Sequence, residues 1–196
     1  MITKERLNEF IASAYQTACD HGFHDEEKSN AHWMMLVVSE IGEMVEADRR
    51  CKKANLNKFL IEYNKYSALV EEPTRFTCAF EKHIKDTIND ETADVCIRLF
   101  DFLGMKGIQP DTFEDKKDDW KNMFAGMSVC EQCYELVQGV TLIYNNSTPN
   151  EIAEIAGAMI RFCFDFAKEH GFDLEWHILE KMKYNNLRDK LHGKNY

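Results

Sequence analysis

The sequence predicts an all-α fold, a bundle of amphipathic helices. Apolar residues recur at spacings of three and four along most of the chain, and alternating Val-, Ile- and Thr-rich runs are missing. Only three prolines occur in 196 residues, Pro73, Pro110 and Pro149, and each stands where a helix begins or breaks. A chain that is 44% hydrophobic and 30% charged at this length can bury one sizeable core.

The periodicity places helices at roughly 3–21, 30–53, 55–70, 76–104, 111–123, 127–144, 149–170 and 173–190. The first opens in MITKERLNEF, which has no apolar signal-peptide core, and the expected location is therefore the cytoplasm. The second carries MMLVVSEIGEMVEA over residues 34–47. The third runs up to the charged pair Glu71–Glu72 and Pro73, and the fourth carries Glu91 and Asp94. The fifth follows Pro110 with Asp111-Thr112-Phe113-Glu114 as a capping box. The seventh starts at Pro149 behind Thr148, with Glu151 three residues past that cap. Gly107 and Gly171 read as helix-end glycines.

Two segments echo each other. Glu91-Thr92-Ala93-Asp94-Val95-Cys96-Ile97-Arg98-Leu99 aligns with Glu154-Ile155-Ala156-Gly157-Ala158-Met159-Ile160-Arg161-Phe162. Gly107-Ile108 then pairs with Gly171-Phe172, and Trp120-Lys121-Asn122 with Tyr184-Asn185-Asn186. Upstream, Glu40 and Glu43 are loosely echoed by Glu131 and Glu135. This predicts one domain with an internal, degenerate duplication: residues 1–123 hold the acidic site, and residues 124–196 are the second half.

The formal net charge of −10 repels a phosphate backbone, so a nucleic-acid polymer is an unsuitable partner, while an anionic small molecule can still bind through bridging divalent cations. No stretch has 18 uninterrupted apolar residues, so no membrane partner is expected. Seven cysteines, an odd number, make no disulfide framework, and Cys130-x-x-Cys133 reads as plain helix-core thiols.

The chemistry lies in four carboxylates. Apolar residues cover nearly the whole circumference of 34–47, which predicts a buried helix, yet Glu40 and Glu43 sit within it. Glu91 and Asp94 precede a similarly apolar run, Val95 to Phe100. A buried carboxylate must be protonated, ion-paired or metal-bound. Each pair is spaced i, i+3 and shares a helix face, so two such helices packed together present four carboxylates to one cavity. Hard oxygen ligands suit Mg²⁺ or Mn²⁺ rather than zinc. A di-iron bundle would need Glu-x-x-His on two helices, and the chain has none; P-loops, Gly-rich dinucleotide turns and nucleophile motifs are also missing.

At these residues a family resemblance enters. Ser39-Glu40-Ile41-Gly42-Glu43, followed by Glu91-Thr92-Ala93-Asp94 and continuing to Arg98 and Asp101, resembles the E-x-x-E … E-x-x-D signature of the all-α nucleotide pyrophosphatases, the superfamily of MazG and the dimeric dUTPases. Gly22-Phe23-His24-Asp25-Glu26 resembles the Gly-aromatic lead-in of MazG-like proteins. Lys181-Met182-Lys183-Tyr184-Asn185-Asn186-Leu187-Arg188, ending in His192-Gly193-Lys194, resembles their closing segment. The chain departs from the pattern in the long stretch between Glu43 and Glu91, and in placing the closing segment after the degenerate copy, where Gly157 stands for the Asp.

The resemblance implies a metal-dependent nucleoside triphosphate pyrophosphohydrolase that cleaves between the α and β phosphates, and it makes a homodimer the expected assembly. Metal would be held by Glu40, Glu43, Glu91 and Asp94, with Glu40 or Glu43 orienting the attacking water. Lys181 and Arg188 would receive the oxygens of the leaving pyrophosphate, with Asn185 donating a hydrogen bond to the substrate. Trp33, Phe23 and His32 flank the acidic helix, and one of them could stack on a base. The alternative is an inactive relative that serves as a nucleotide sensor or helical interaction module.

Overall fold

The computed structural model describes residues 2–65, 69–110, 124, 126–145 and 148–193. The helix expected at 111–123, with its capping box and the Trp120–Asn122 match, lies outside the described residues. The described elements are α1 (Lys4–Asp20), α2 (Asn30–Arg49), α3 (Leu56–Asn64), α4 (Glu72–His83), α5 (Ile88–Lys106), α6 (Val129–Asn145), α7 (Pro149–His170) and α8 (Leu174–Asn186), then a short 3-10 turn at Lys190–Gly193. There is no strand among them. The all-α prediction therefore holds.

The helix starts are built by short polar side chains. Thr3, Ser29, Asn55, Thr87, Thr148 and Asp173 each accept a bond from the backbone N–H three residues on, satisfying one orphan donor. Gly107 and Gly171 close α5 and α7 in the left-handed region, at φ 64° and 76°, where a Cβ would be strained.

Helix boundaries differ from the sequence expectation at several places, the helix expected at 55–70 ending at Asn64 and the next beginning at Glu72, and two of the differences have a visible cause. The segment 76–104 is two helices, because Thr87 restarts the chain: its hydroxyl donates to the Ile84 carbonyl (2.6 Å) and accepts from the Asp90 N–H (3.3 Å). With no Pro or Gly at this break, periodicity alone ran through it, and Pro73 sits in the first turn of α4. Helix α2 stops at Arg49 rather than near 53, since Cys51 turns to φ 52° and the Lys52 N–H closes back on the Ala47 carbonyl (2.9 Å).

Helix α5 is the hub, packing on α1, α2, α7 and α8, while α2 also packs on α6. Leu7, Val37, Met44, Leu99, Phe100, Leu103 and Phe166 are fully enclosed, each such side chain contributing about 1.5–3 kcal/mol of transfer free energy. The long stretch between Glu43 and Glu91 is the α3–α4 hairpin, with its own small core of Phe59, Phe76 and Phe80; that core continues onto α8 through a Phe80–Tyr184 ring stack at 4.7 Å. Cys96, Cys133 and Cys163 are buried, whereas Cys130 faces outward, so Cys130-x-x-Cys133 joins core to surface. Among the described residues no helix is long and apolar enough to cross a membrane.

His177 on α8 is buried beside Phe172 and Trp176, its Nδ1 has no hydrogen-bond partner, and burial pushes its pKa down to about 4. An unfolded His takes up a proton near pH 6.5, which the buried imidazole refuses down to about pH 4. Its contribution to stability is therefore whole above about pH 6.5 and is lost as pH falls toward 4. His177→Leu is expected to flatten that loss, read as urea midpoints at pH 7 and pH 4.5; equal acid losses in both proteins would refute the assignment.

Candidate metal centre

Helices α2, α5 and α8 meet around a cleft of about 170 Å³. All seven residues singled out from the sequence line it: Glu40 and Glu43 from α2, Glu91 and Asp94 from α5, Lys181 and Asn185 from α8, and Arg188 just beyond. Their convergence follows from spacing on three helices. The i, i+3 pairs on α2 and α5 face each other, and Lys181, Asn185 and Arg188 recur every three to four residues.

The expectation that 34–47 is buried all round is corrected here. Helix α2 buries a stripe of Trp33, Met34, Val37, Glu40, Ile41, Met44 and Ala47, but Met35 is 61% exposed and Glu43 lies at the exposed edge. One oxygen each from Glu40, Glu91 and Asp94 lies within 4.8 Å of the others, and this is the one such cluster among the described residues. Glu43 lines the cleft outside that trio.

The counter-charges are specific. Arg98 Nε donates to Glu40 Oε1 at 2.9 Å. Lys181 Nζ reaches Asp90 Oδ2 and Asp94 Oδ2, both at 2.7 Å. Burial opposes the Lys181 charge, but Asp94 and Asp90 outweigh it and hold the pKa well above that of an ordinary lysine. Burial, then Asp94, pushes Glu91 up to about 9, and burial raises Asp90 to about 7 against the pull of Lys181. Glu40 is raised by burial and Asp94, with Arg98 opposing.

Asp90 is the residue that sequence reasoning missed. It is 1% exposed, and it also accepts from the Asp86 N–H at 3.1 Å. Its signal was Thr87-x-x-Asp90, a helix start hidden inside an apolar period. Lys181, expected to bind phosphate, is paired with two carboxylates. His24 is a further support of the site, its Nε2 meeting Asp101 Oδ1 at 2.7 Å while its ring stacks on Trp33 at 4.7 Å. Trp33 is thus a buried core ring, His32 is half-buried against its edge, and of these three aromatics Phe23 lines the cleft.

The closing segment folds over the start of the site. Leu191 N–H donates to the His21 carbonyl (2.9 Å), Arg188 donates through Nη2 to the His192 carbonyl (3.0 Å), and the His192 ring meets Phe23 edge-on at 5.1 Å. Gly22 suits this turn because its φ of 80° would strain any L side chain, and the Lys190 ammonium beside it pairs with Asp25 at 2.6 Å.

The donor set fits a hard cation. Two oxygens of cleft-lining residues, Glu91 Oε2 and Asn185 Oδ1, have no hydrogen-bond partner, on residues that are 3% and 9% exposed. Buried acceptors without donors are costly, and a divalent ion among oxygen ligands removes that cost. In the second half, Glu131 accepts from the Ser128 N–H and hydroxyl, both at 2.7 Å, which is a capping role. Compared with models of protein families, with curated proteins and with solved structures, the chain has no match.

Proposed function

We propose that the protein is a metal-dependent nucleoside triphosphate pyrophosphohydrolase, releasing nucleoside monophosphate and pyrophosphate. The observation that carries this reading is the cleft where a trio of carboxylates with a donorless buried oxygen faces the cations Arg98, Lys181 and Arg188. The resemblance of Glu40–Glu43, Glu91–Asp94 and Lys181–Arg188 to the MazG and dimeric-dUTPase signature supplies the bond that is cut.

Glu40, Glu91 and Asp94, with Glu43, would hold Mg²⁺ or Mn²⁺. When bound, the metal neutralises the polyphosphate and lowers the pKa of a ligated water. Glu43 is the carboxylate at the open edge, free of the Arg98 pair that holds Glu40, so it takes the water proton. The water oxygen bonds to the α phosphorus, the bond from the α phosphorus to the bridging oxygen breaks, and that oxygen leaves on pyrophosphate. Asn185 and Arg188 bind phosphate oxygens. Lys181 acts through Asp90 and Asp94 as a positioning residue.

Pyrophosphate release from a panel of triphosphates, with and without Mg²⁺, tests this reading. Asp94→Asn is expected to lower release by about 10²-fold or more while leaving the far-ultraviolet helical signal intact. Nucleotide binding without release from any triphosphate would replace the hydrolase with a nucleotide sensor.

A further inference from the structure

The carboxylate wall has a second side. Behind the main cleft lies a smaller basin of about 150 Å³, and the two share Glu43, Asp86 and Glu91. The basin is completed by Glu46, Ala47, Arg50 and Lys52. Resting on the hydrolase reading above, we infer that this basin is the subsite for the diphosphate end of the substrate, with Arg50 and Lys52 as its anion-binding residues.

Three observations support the assignment. Glu91 lines both spaces, is almost fully buried and has an oxygen without a hydrogen-bond partner, so a cation held by it would stand at the border of the two. The linings also differ in kind. The main cleft has Ala14, Ala18, Phe23, Ile97 and Met182 beside its polar residues, a surface suited to a nucleoside, whereas the basin has no aromatic residue and one apolar residue, Ala47. Finally, the basin is fixed in place. Lys52 closes α2 onto Ala47, its carbonyl accepts from the Ile88 N–H at 3.1 Å, and the Asn89 side chain accepts from the Ala54 N–H at 3.0 Å. The loop bearing Arg50 and Lys52 is thus tied to the first turn of α5, one residue turn from Glu91. Arg50 pairs with Glu46 through Nε at 2.6 Å, and its terminal nitrogens form the fork that a phosphate takes. The substrate then lies in one sense, with its base toward Phe23, its α phosphate at the carboxylates and its β and γ phosphates over the sill into the basin.

Calorimetric titration with methylenediphosphonate and with a nucleoside monophosphate, both in Mg²⁺, tests this on wild type, Arg50→Gln, Lys52→Gln and the double variant. Diphosphonate affinity is expected to fall about tenfold or more in the double variant, with monophosphate affinity unchanged. Unchanged diphosphonate affinity overturns the subsite. Weakened monophosphate binding with intact diphosphonate binding reverses the orientation, and equal weakening of both reduces the effect to net charge; each overturns the inference. Diphosphonate bound through Arg50 and Lys52, in a protein that releases no pyrophosphate from any triphosphate, supports the subsite and overturns the hydrolase reading instead.

Discussion

Glu91→Gln is expected to remove magnesium-dependent turnover by about 10²–10³-fold while the helices stay folded. Glu91 borders both the cleft and the basin, and of the three carboxylates that do so it is the one in the close trio. The fold tolerates the change because burial and Asp94 already push the carboxyl up to about 9, which makes the uncharged form the native one at neutral pH without metal. Metal binding must then displace that proton. Mg²⁺ titration in buffers of different ionisation enthalpy is expected to show proton release in the wild type and less in the variant. A variant that binds Mg²⁺ with undiminished proton release, or turns over normally, would remove Glu91 from the site.

Lys181→Met is expected to be worse for the fold than for any single contact with substrate. Lys181 is 6% exposed and spans Asp90 and Asp94, so its loss leaves the buried Asp90 and the half-buried Asp94 without their shared counter-ion, at a cost of about 3–5 kcal/mol. Thermal unfolding without metal should show this, and added Mg²⁺ should recover part of it by replacing the lost positive charge. Lys181→Met combined with Asp90→Asn is expected to regain most of the metal-free stability but not the turnover, which falls about 10²-fold or more. Wild-type stability in the single variant would mean that the ammonium is not structural.

Much of this was legible from residue spacing. The i, i+3 carboxylate pairs and the three-to-four rhythm of Lys181, Asn185 and Arg188 specify shared faces, and three shared faces on apolar helices have few ways to pack other than around one cleft. What spacing could not supply was partnership. That Lys181 serves Asp90 and Asp94, or that Arg98 holds Glu40, depends on how α8 and α2 slide along α5, which no local pattern encodes. Asp90 was hidden because periodicity reports which residues face the core and is blind to a break made by a hydroxyl such as that of Thr87. Glu43 was read as buried for the opposite reason: apolar residues such as Met35 stand on a surface that periodicity counts as core.

The Lys181–Asp90 bond joins residues 91 positions apart in the chain. During synthesis, at roughly 5–20 residues per second, the carboxylates of α5 wait about 5–20 s for their counter-ion to be made. Over that interval they stay hydrated or take up protons, because a dry, charged Asp90 without Lys181 is too costly. The acidic end of α5 therefore cannot dry out until α8 has been made. The newborn protein closes its chemistry only when α8 arrives, long after the helices that carry most of that chemistry have left the ribosome.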